Sequence, residues 1–128
     1  MKKQKTEIEE LVRSILGKDK WLMLNLTMVK ELTPNGACFL TYLLTKYEGL
    51  VKSHKLEDLE GMYVYRKEIT DALSLSPYQQ RNIELDLKEK QLIKIVEERI
   101  KGECFNKYYL NIQNIYELVE NKSKVCLA

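Results

Sequence analysis

The sequence predicts an α+β chain with helices first and a β-hairpin after them, and two stretches carry that prediction. In SLSPYQQRNIELDLKEKQLI, residues 74–93, a serine and a proline open a helix that ends in an apolar pair. In LIKIVEERIKGECFNKYYLNI, residues 92–112, two strand-like runs flank a turn that contains Gly102. With 128 residues, 45% of them hydrophobic, the chain is long enough for one domain with appended helices and too short for two full-sized ones.

The elements follow in order. TEIEELVRSILG places Ile8, Leu11, Val12, Ile15 and Leu16 at helical spacing before Gly17, so residues 1–17 are expected to be an amphipathic helix. WLMLNL, residues 21–26, is short, apolar and flanked by breakers and is expected to be a strand, although its periodicity also fits a helical turn. Thr33 followed by Pro34 marks a helix start, and ACFLTYLLTKY then lays Ala37, Leu40, Leu44 and Tyr47 along one face with Phe39 and Leu43 beside them. EGLVKSHKLEDLEG reads as a connecting loop, and MYVY as a second strand. RKEITDAL is a short helix burying Ile69, Ala72 and Leu73, SLS is a tight connection, and Ser76 caps the next helix. Ser76 and Gln79 make a capping box, with Pro77 at the first helical position where its missing donor costs nothing. LIKIVEE and CFNKYYLNI are paired strands across RIKGE, with Tyr108, Leu110 and Ile112 alternating with more polar neighbours. The result is a winged helix-turn-helix over residues 18–112, with additional N- and C-terminal helices, the latter at residues 113–128.

Composition limits the function classes. The chain carries 21 basic and 19 acidic residues, a net charge of +2, so any nucleic-acid surface must be a local patch. Cys38, Cys104 and Cys126 are far apart and form no CxxC pair, which suggests reduced intracellular thiols and neither a disulfide framework nor a zinc ribbon. Glu7, Glu9 and Glu10 interrupt the N-terminal stretch where a signal peptide would be apolar, and no run approaches membrane-spanning length. A soluble, cytoplasmic protein with no membrane partner is expected. His54, the single histidine, sits in a polar loop without a metal-ligand pattern, and is expected to be solvated. There is no phosphate-cradling glycine loop, histidine-based triad or ligand-spaced carboxylate cluster, so no enzyme, catalytic residue, metal or cofactor is expected.

The candidate site lies at the start of the capped helix. At ~100° per residue, Ile83 and Leu87 face one way while Tyr78, Arg81, Asn82 and Leu85 face nearly the opposite way. A helix lying in a DNA major groove needs planar polar side chains near its N-terminus. Arg81 can fork onto guanine, Gln79 and Asn82 can pair with adenine, and Tyr78 can meet a thymine methyl or a phosphate. Lys67, Lys94, Arg99, Lys101 and Lys107 are the candidate backbone contacts. Against this stand Glu84, Asp86 and Glu89 farther along the helix and Glu97 and Glu98 in the wing, which would repel phosphate. Leu85 is better explained by burial against a helix or a second subunit than by DNA. Tyr63, Tyr65, Tyr108 and Tyr109 read as half-buried strand residues ahead of base-stacking ones.

From about Ala37 to Leu118, the stretches ACFLTYLL, EGMYVYRKEI, LSLSPYQQRNIELDLKEKQLI and KGECFNKYYLNIQNIYEL resemble the winged-helix DNA-binding proteins of phages and plasmids of Gram-positive bacteria. That group includes replication initiators and replisome-organiser N-terminal domains. Gln91 stands where such proteins often have a glycine before the apolar pair, and Cys104 where a wing proline is frequent. The resemblance implies DNA contacts from Ser76, Tyr78, Gln79, Arg81 and Asn82, with wing support from Lys101 and Lys107, and it implies no active site. The expected function is sequence-specific double-stranded DNA binding for a mobile element, in replication, segregation or transcriptional control, with a replication or segregation protein as a possible partner. The alternative is a winged-helix protein-interaction adaptor without DNA binding.

A single helix-turn-helix reads only a short half-site, so a homodimer is also expected. The candidate interface is Ile8, Leu11, Val12 and Ile15 of the N-terminal helix with Ile115, Leu118 and Val119 of the C-terminal one. The competing expectation is that each helix folds back over its own core.

Overall fold

The computed structural model describes residues 2–17, 22–55 and 61–127. Expectations for Trp21, for residues 56–60 and for the side chains of Leu16 and Cys126 lie outside the described residues. The described chain is α+β, with five helices and a three-stranded antiparallel sheet. In order these are α1 (Lys2–Gly17), α2 (Leu26–Lys52), β1 (Met62–Tyr63), α3 (Arg66–Leu73), α4 (Pro77–Glu89), β2 (Ile93–Ile100), β3 (Glu103–Leu110) and α5 (Ile112–Leu127). The strands lie in the order β1-β3-β2, with Met62 opposite Tyr108 and Ile95 opposite Tyr108 on the other side.

The expected strand at residues 21–26 is not formed: Leu22–Asn25 carry no regular structure and Leu26 opens α2. The physical reason is local. The Asn25 side chain accepts from the Met28 amide at 3.1 Å and caps a helix whose Met28 and Leu32 are buried. Thr33 and Pro34 mark a break inside α2, where Thr33 leaves helical geometry (φ 70, ψ 160) and its hydroxyl accepts from the Gly36 amide at 3.3 Å. The second segment carries Ala37, Phe39, Leu40 and Leu43, all fully buried. It also runs on through Lys52, so the start of the expected loop at Glu48 is helix.

α2 supplies the middle of a core completed by Met62, Val64, Ile69, Leu75, Leu87, Leu92, Ile93, Tyr108, Leu110 and Ile115. In α3 Ile69 is buried and Leu73 half-buried, but Ala72 is exposed, a correction to its expected burial. β3 ends at Leu110 because Asn111 accepts from the Asn114 amide at 3.0 Å and starts α5. Ile112 therefore belongs to a helix and is 37% exposed. The turn between β2 and β3 is the pair Lys101 (φ 52) and Gly102 (φ 82), both in the left-handed region that tight hairpins require.

α5 folds back onto its own chain. Ile115 is 5% exposed, and Leu118 and Val119 pack against the same core, so the C-terminal half of the expected dimer surface is occupied internally. α1 is the opposite case: Ile8 is 60%, Leu11 64%, Val12 46% and Ile15 76% exposed.

Gln91 joins α4 to β2 with φ 60, a conformation that costs a side chain with a Cβ roughly 1–2 kcal/mol. Replacing it with glycine removes that strain at the expense of a more flexible unfolded chain. Gln91→Gly is expected to raise stability by ~0.5–1 kcal/mol, read as a higher urea midpoint with an unchanged slope.

Candidate functional site

The start of α4 is fixed by reciprocal bonds. The Ser76 hydroxyl accepts from the Gln79 amide at 3.1 Å, and the Gln79 side-chain oxygen accepts from the Ser76 amide at 2.9 Å. The box has a consequence for recognition, because the Gln79 oxygen that a paired contact to adenine would use is already engaged. Arg81 and Asn82 remain exposed, Tyr78 is 72% exposed, and Leu85 is 62% exposed on the same side. Leu85 therefore finds little cover among the described residues.

Behind that face, α4 is anchored by two buried polar residues whose role the sequence reading missed. Gln80 is fully buried, and its amide nitrogen donates to the Arg66 carbonyl (3.1 Å), the Thr70 hydroxyl (2.9 Å) and the Leu75 carbonyl (2.9 Å). Its two N–H bonds are shared among these three acceptors, so one side chain ties α4 to α3 and to the turn between them. Glu84 is 5% exposed and is held by Arg66 at 3.1 Å and by the Tyr108 hydroxyl of β3. Burial, reinforced by the Glu84 carboxylate, pushes the Tyr108 hydroxyl well above its ordinary pKa. The signal for both was present in the sequence: Gln80, Glu84 and Leu87 recur at helical spacing on the inward side.

These contacts change the charge balance at the site. Of the three carboxylates expected to repel phosphate from α4, Glu84 is buried and paired, and Asp86 is paired with Lys90 at 2.7 Å. Glu89 is exposed.

The sheet divides the candidate wing residues. Cross-strand partners share a face, and Ile95 and Tyr108 define the buried one. Alternation then places Glu97, Arg99, Cys104 and Asn106 on the face turned toward α4. A cleft of about 290 Å³ joins that face to the helix, lined by Arg81, Arg66 and Tyr65 together with Glu97, Cys104 and Asn106. Arg81 is thus brought beside the wing, with one carboxylate in the same cleft. Lys94 and Lys107 fall on the opposite face and are not gathered with Arg81. Lys107 lies over the rings of Tyr63 (5.4 Å) and Tyr109 (5.9 Å) and 3.9 Å from Glu98. Lys94 lines a second cleft with Lys88. Lys67 and Lys101 are exposed, the latter at the hairpin tip.

Among the tyrosines, Tyr108 is buried and Tyr109 half-buried, but Tyr63 and Tyr65 are 37% and 54% exposed, which corrects their expected half-burial. Both pack edge-on against Phe105, at 6.3 and 5.7 Å between ring centres. His54 is exposed, and no group of three or more potential metal-binding side chains occurs among the described residues. No described helix is long and apolar enough to cross a membrane.

No protein-family model, curated protein or solved structure matches the chain.

Proposed function

We propose that the chain is a winged helix-turn-helix protein that binds double-stranded DNA in a sequence-specific manner, with α4 as the reading helix and the β2–β3 hairpin as the wing. The observation that carries this reading is the start of α4, a doubly capped helix end presenting Tyr78, Arg81 and Asn82 outward while Gln80 and Glu84 anchor its back. A reading helix must be rigid where it meets base edges, and a capped, internally bonded turn supplies that rigidity. Arg81 and Asn82 are the base-reading residues; Ser76, Tyr78, Lys67, Arg99 and Lys101 contact the backbone, and Gln79 acts first as a cap. The biological setting is a mobile element, in replication, segregation or transcriptional control, by the resemblance of residues 37–118 to winged-helix proteins of phages and plasmids. No catalytic step, metal or cofactor belongs to this function.

The experiment is a duplex-binding titration at several salt concentrations. A DNA reader loses affinity linearly in log salt, and Lys101→Ala is expected to reduce that slope by about one unit on every duplex, cognate or random. An unchanged slope takes the hairpin tip out of the contact surface. The exposed Leu85, beside the reading face, favours the second reading, an adaptor that docks a protein through α4. An adaptor gives no duplex binding at low micromolar protein at any salt.

A further inference from the structure

β2 is an edge strand. Among the described residues β3 lies on one side of it and no strand on the other, and its eight residues contain no proline, no glycine and no break in register against β3. Two bonds show which of its backbone groups are left over. The Asn111 amide donates to the Leu92 carbonyl at 2.9 Å, which makes Leu92 and Asn111 a bonded pair, and alternation along an antiparallel ladder then gives the backbone groups of Lys94, Val96 and Glu98 to β3. On the far side of β3 the Val64 amide donates to the Asn106 carbonyl at 3.3 Å, which turns Asn106 and Tyr108 toward β1 and agrees with that phase. The N–H and C=O groups of Ile95, Glu97 and Arg99 therefore point outward from the sheet edge, and no described strand takes them up. Ile95 is half-buried, and Glu97 and Arg99 are exposed.

Charged side chains keep an open edge from pairing at random. Those of β2 leave one antiparallel alignment of the strand with itself favourable. About a two-fold axis at Val96, Ile95 and Glu97 of the two copies exchange backbone bonds, and Lys94 of each copy stands opposite Glu98 of the other. These are the unbonded, closely spaced pairs, where side chains approach most. A slip by one residue sets Glu97 against Glu97, a slip by two sets Glu98 against Glu98, and a slip the other way leaves Lys94 facing Val96. Both charged groups are ready for the pairing. Glu98 accepts from the Tyr63 hydroxyl and lies 3.9 Å from Lys107, which steadies it on that face. Lys94 is exposed and belongs to no ion pair among the described residues.

We infer that the free edge of β2 is the pairing surface for β2 of a second copy of this chain. The contact uses the same patch on both copies, so it closes after two subunits and leaves neither edge open. Because the axis stands perpendicular to the sheet, the joined sheets keep their faces, and both copies of α4 lie on one side. The terminal helices, expected to form the dimer surface, take no part in it. The inference does not depend on DNA binding, since neither Arg81 nor Asn82 belongs to the edge.

The test is sedimentation equilibrium of the full chain, without nucleic acid, from sub-micromolar to hundreds of micromolar protein. The wild-type chain is expected to be a dimer over the upper part of that range. Glu97→Pro removes an amide that points outward, which an edge strand tolerates, and is expected to give a folded monomer, whereas Glu97→Ala stays dimeric. Lys94→Glu sets carboxylates against each other across the axis and is expected to weaken dimerisation by about tenfold. Hydrogen exchange supplies a readout without substitution: the amides of Ile95 and Glu97 should slow as protein concentration rises, while that of Val96, bonded to β3, is protected at every concentration. Circular dichroism checks the fold of each variant, and should Glu97→Pro fail to fold, Lys94→Glu and the exchange rates decide. A chain that is monomeric throughout overturns the inference, its edge being free for a different strand or for none. So does a dimer indifferent to Lys94→Glu or to Glu97→Pro, and so does exchange at Ile95 and Glu97 that ignores concentration.

Discussion

Arg66→Ala is expected to destabilise the fold by roughly 3 kcal/mol, toward the lower end of the cost of breaking a buried ion pair. Glu84 has a side chain only 7% exposed, and Arg66, 26% exposed, supplies its charge partner from α3. Removing the guanidinium leaves a carboxylate with a tyrosine hydroxyl as its remaining side-chain partner, in a place water does not reach freely. The partial exposure of Arg66 sets the lower end of the range, because solvent can relax part of the way into the vacated space. A urea melt with unchanged slope and a lower midpoint gives the number. Adding Glu84→Gln to Arg66→Ala should recover a substantial part of the loss, because a neutral amide can still accept from Tyr108 without an unpaired charge. A loss under about 1 kcal/mol in the single variant would mean that α3 and α4 are held by packing and by Gln80 alone.

The same network makes the fold sensitive to alkali. The folded state holds the Tyr108 hydroxyl protonated above its ordinary value of 10.0, so the stabilisation is fully present below that pH and is lost as the pH rises beyond it. A chain carrying Tyr108→Phe should lose that part of its alkaline sensitivity, read from unfolding midpoints on either side of the tyrosine range.

The second large effect concerns recognition. Arg81→Ala and Asn82→Ala are each expected to cost ~1–3 kcal/mol at a cognate duplex, with base preference relaxed at the position each one reads. The double variant should bind cognate and random duplexes with similar affinity. Stability should hardly change, because both side chains are exposed and neither has a partner that fixes α4. Gln79→Ala is informative by contrast. Its oxygen is bound to the Ser76 amide, so its loss is expected first as a stability change of ~1 kcal/mol and only second as altered recognition. If Gln79→Ala relaxes base preference more than Arg81→Ala, the capping box opens on binding and the assignment of roles on α4 is reversed.

What the sequence made legible is what local chemistry determines. The α4 start announces itself through Ser76, Pro77 and Gln79, and the hairpin through alternation on either side of Lys101 and Gly102. The first segment of α2 was hidden because its cap, Asn25, lies inside an apolar run that reads equally well as a strand. Glu84 was misread as a solvent-facing repulsive charge because its burial depends on Arg66 and Tyr108, which approach from other elements. The split of the wing lysines follows from register, since a one-residue shift on a strand changes the face, and Lys94 and Lys107 came out opposite to Arg99. The apolar positions of α5 fit its own core or a second subunit alike on spacing alone, and Ile115, Leu118 and Val119 pack on the chain's own core.

Contact between the exposed start of α4 and DNA is read from amide chemical shifts during titration with a duplex that the chain binds. With α4 on the DNA, the largest shifts are expected at Tyr78–Asn82, with smaller ones at Arg99, Lys101 and Gly102. Shifts confined to the cleft around Lys88, Lys94 and the start of α5, or no shifts at a duplex concentration well above that of the protein, would contradict it.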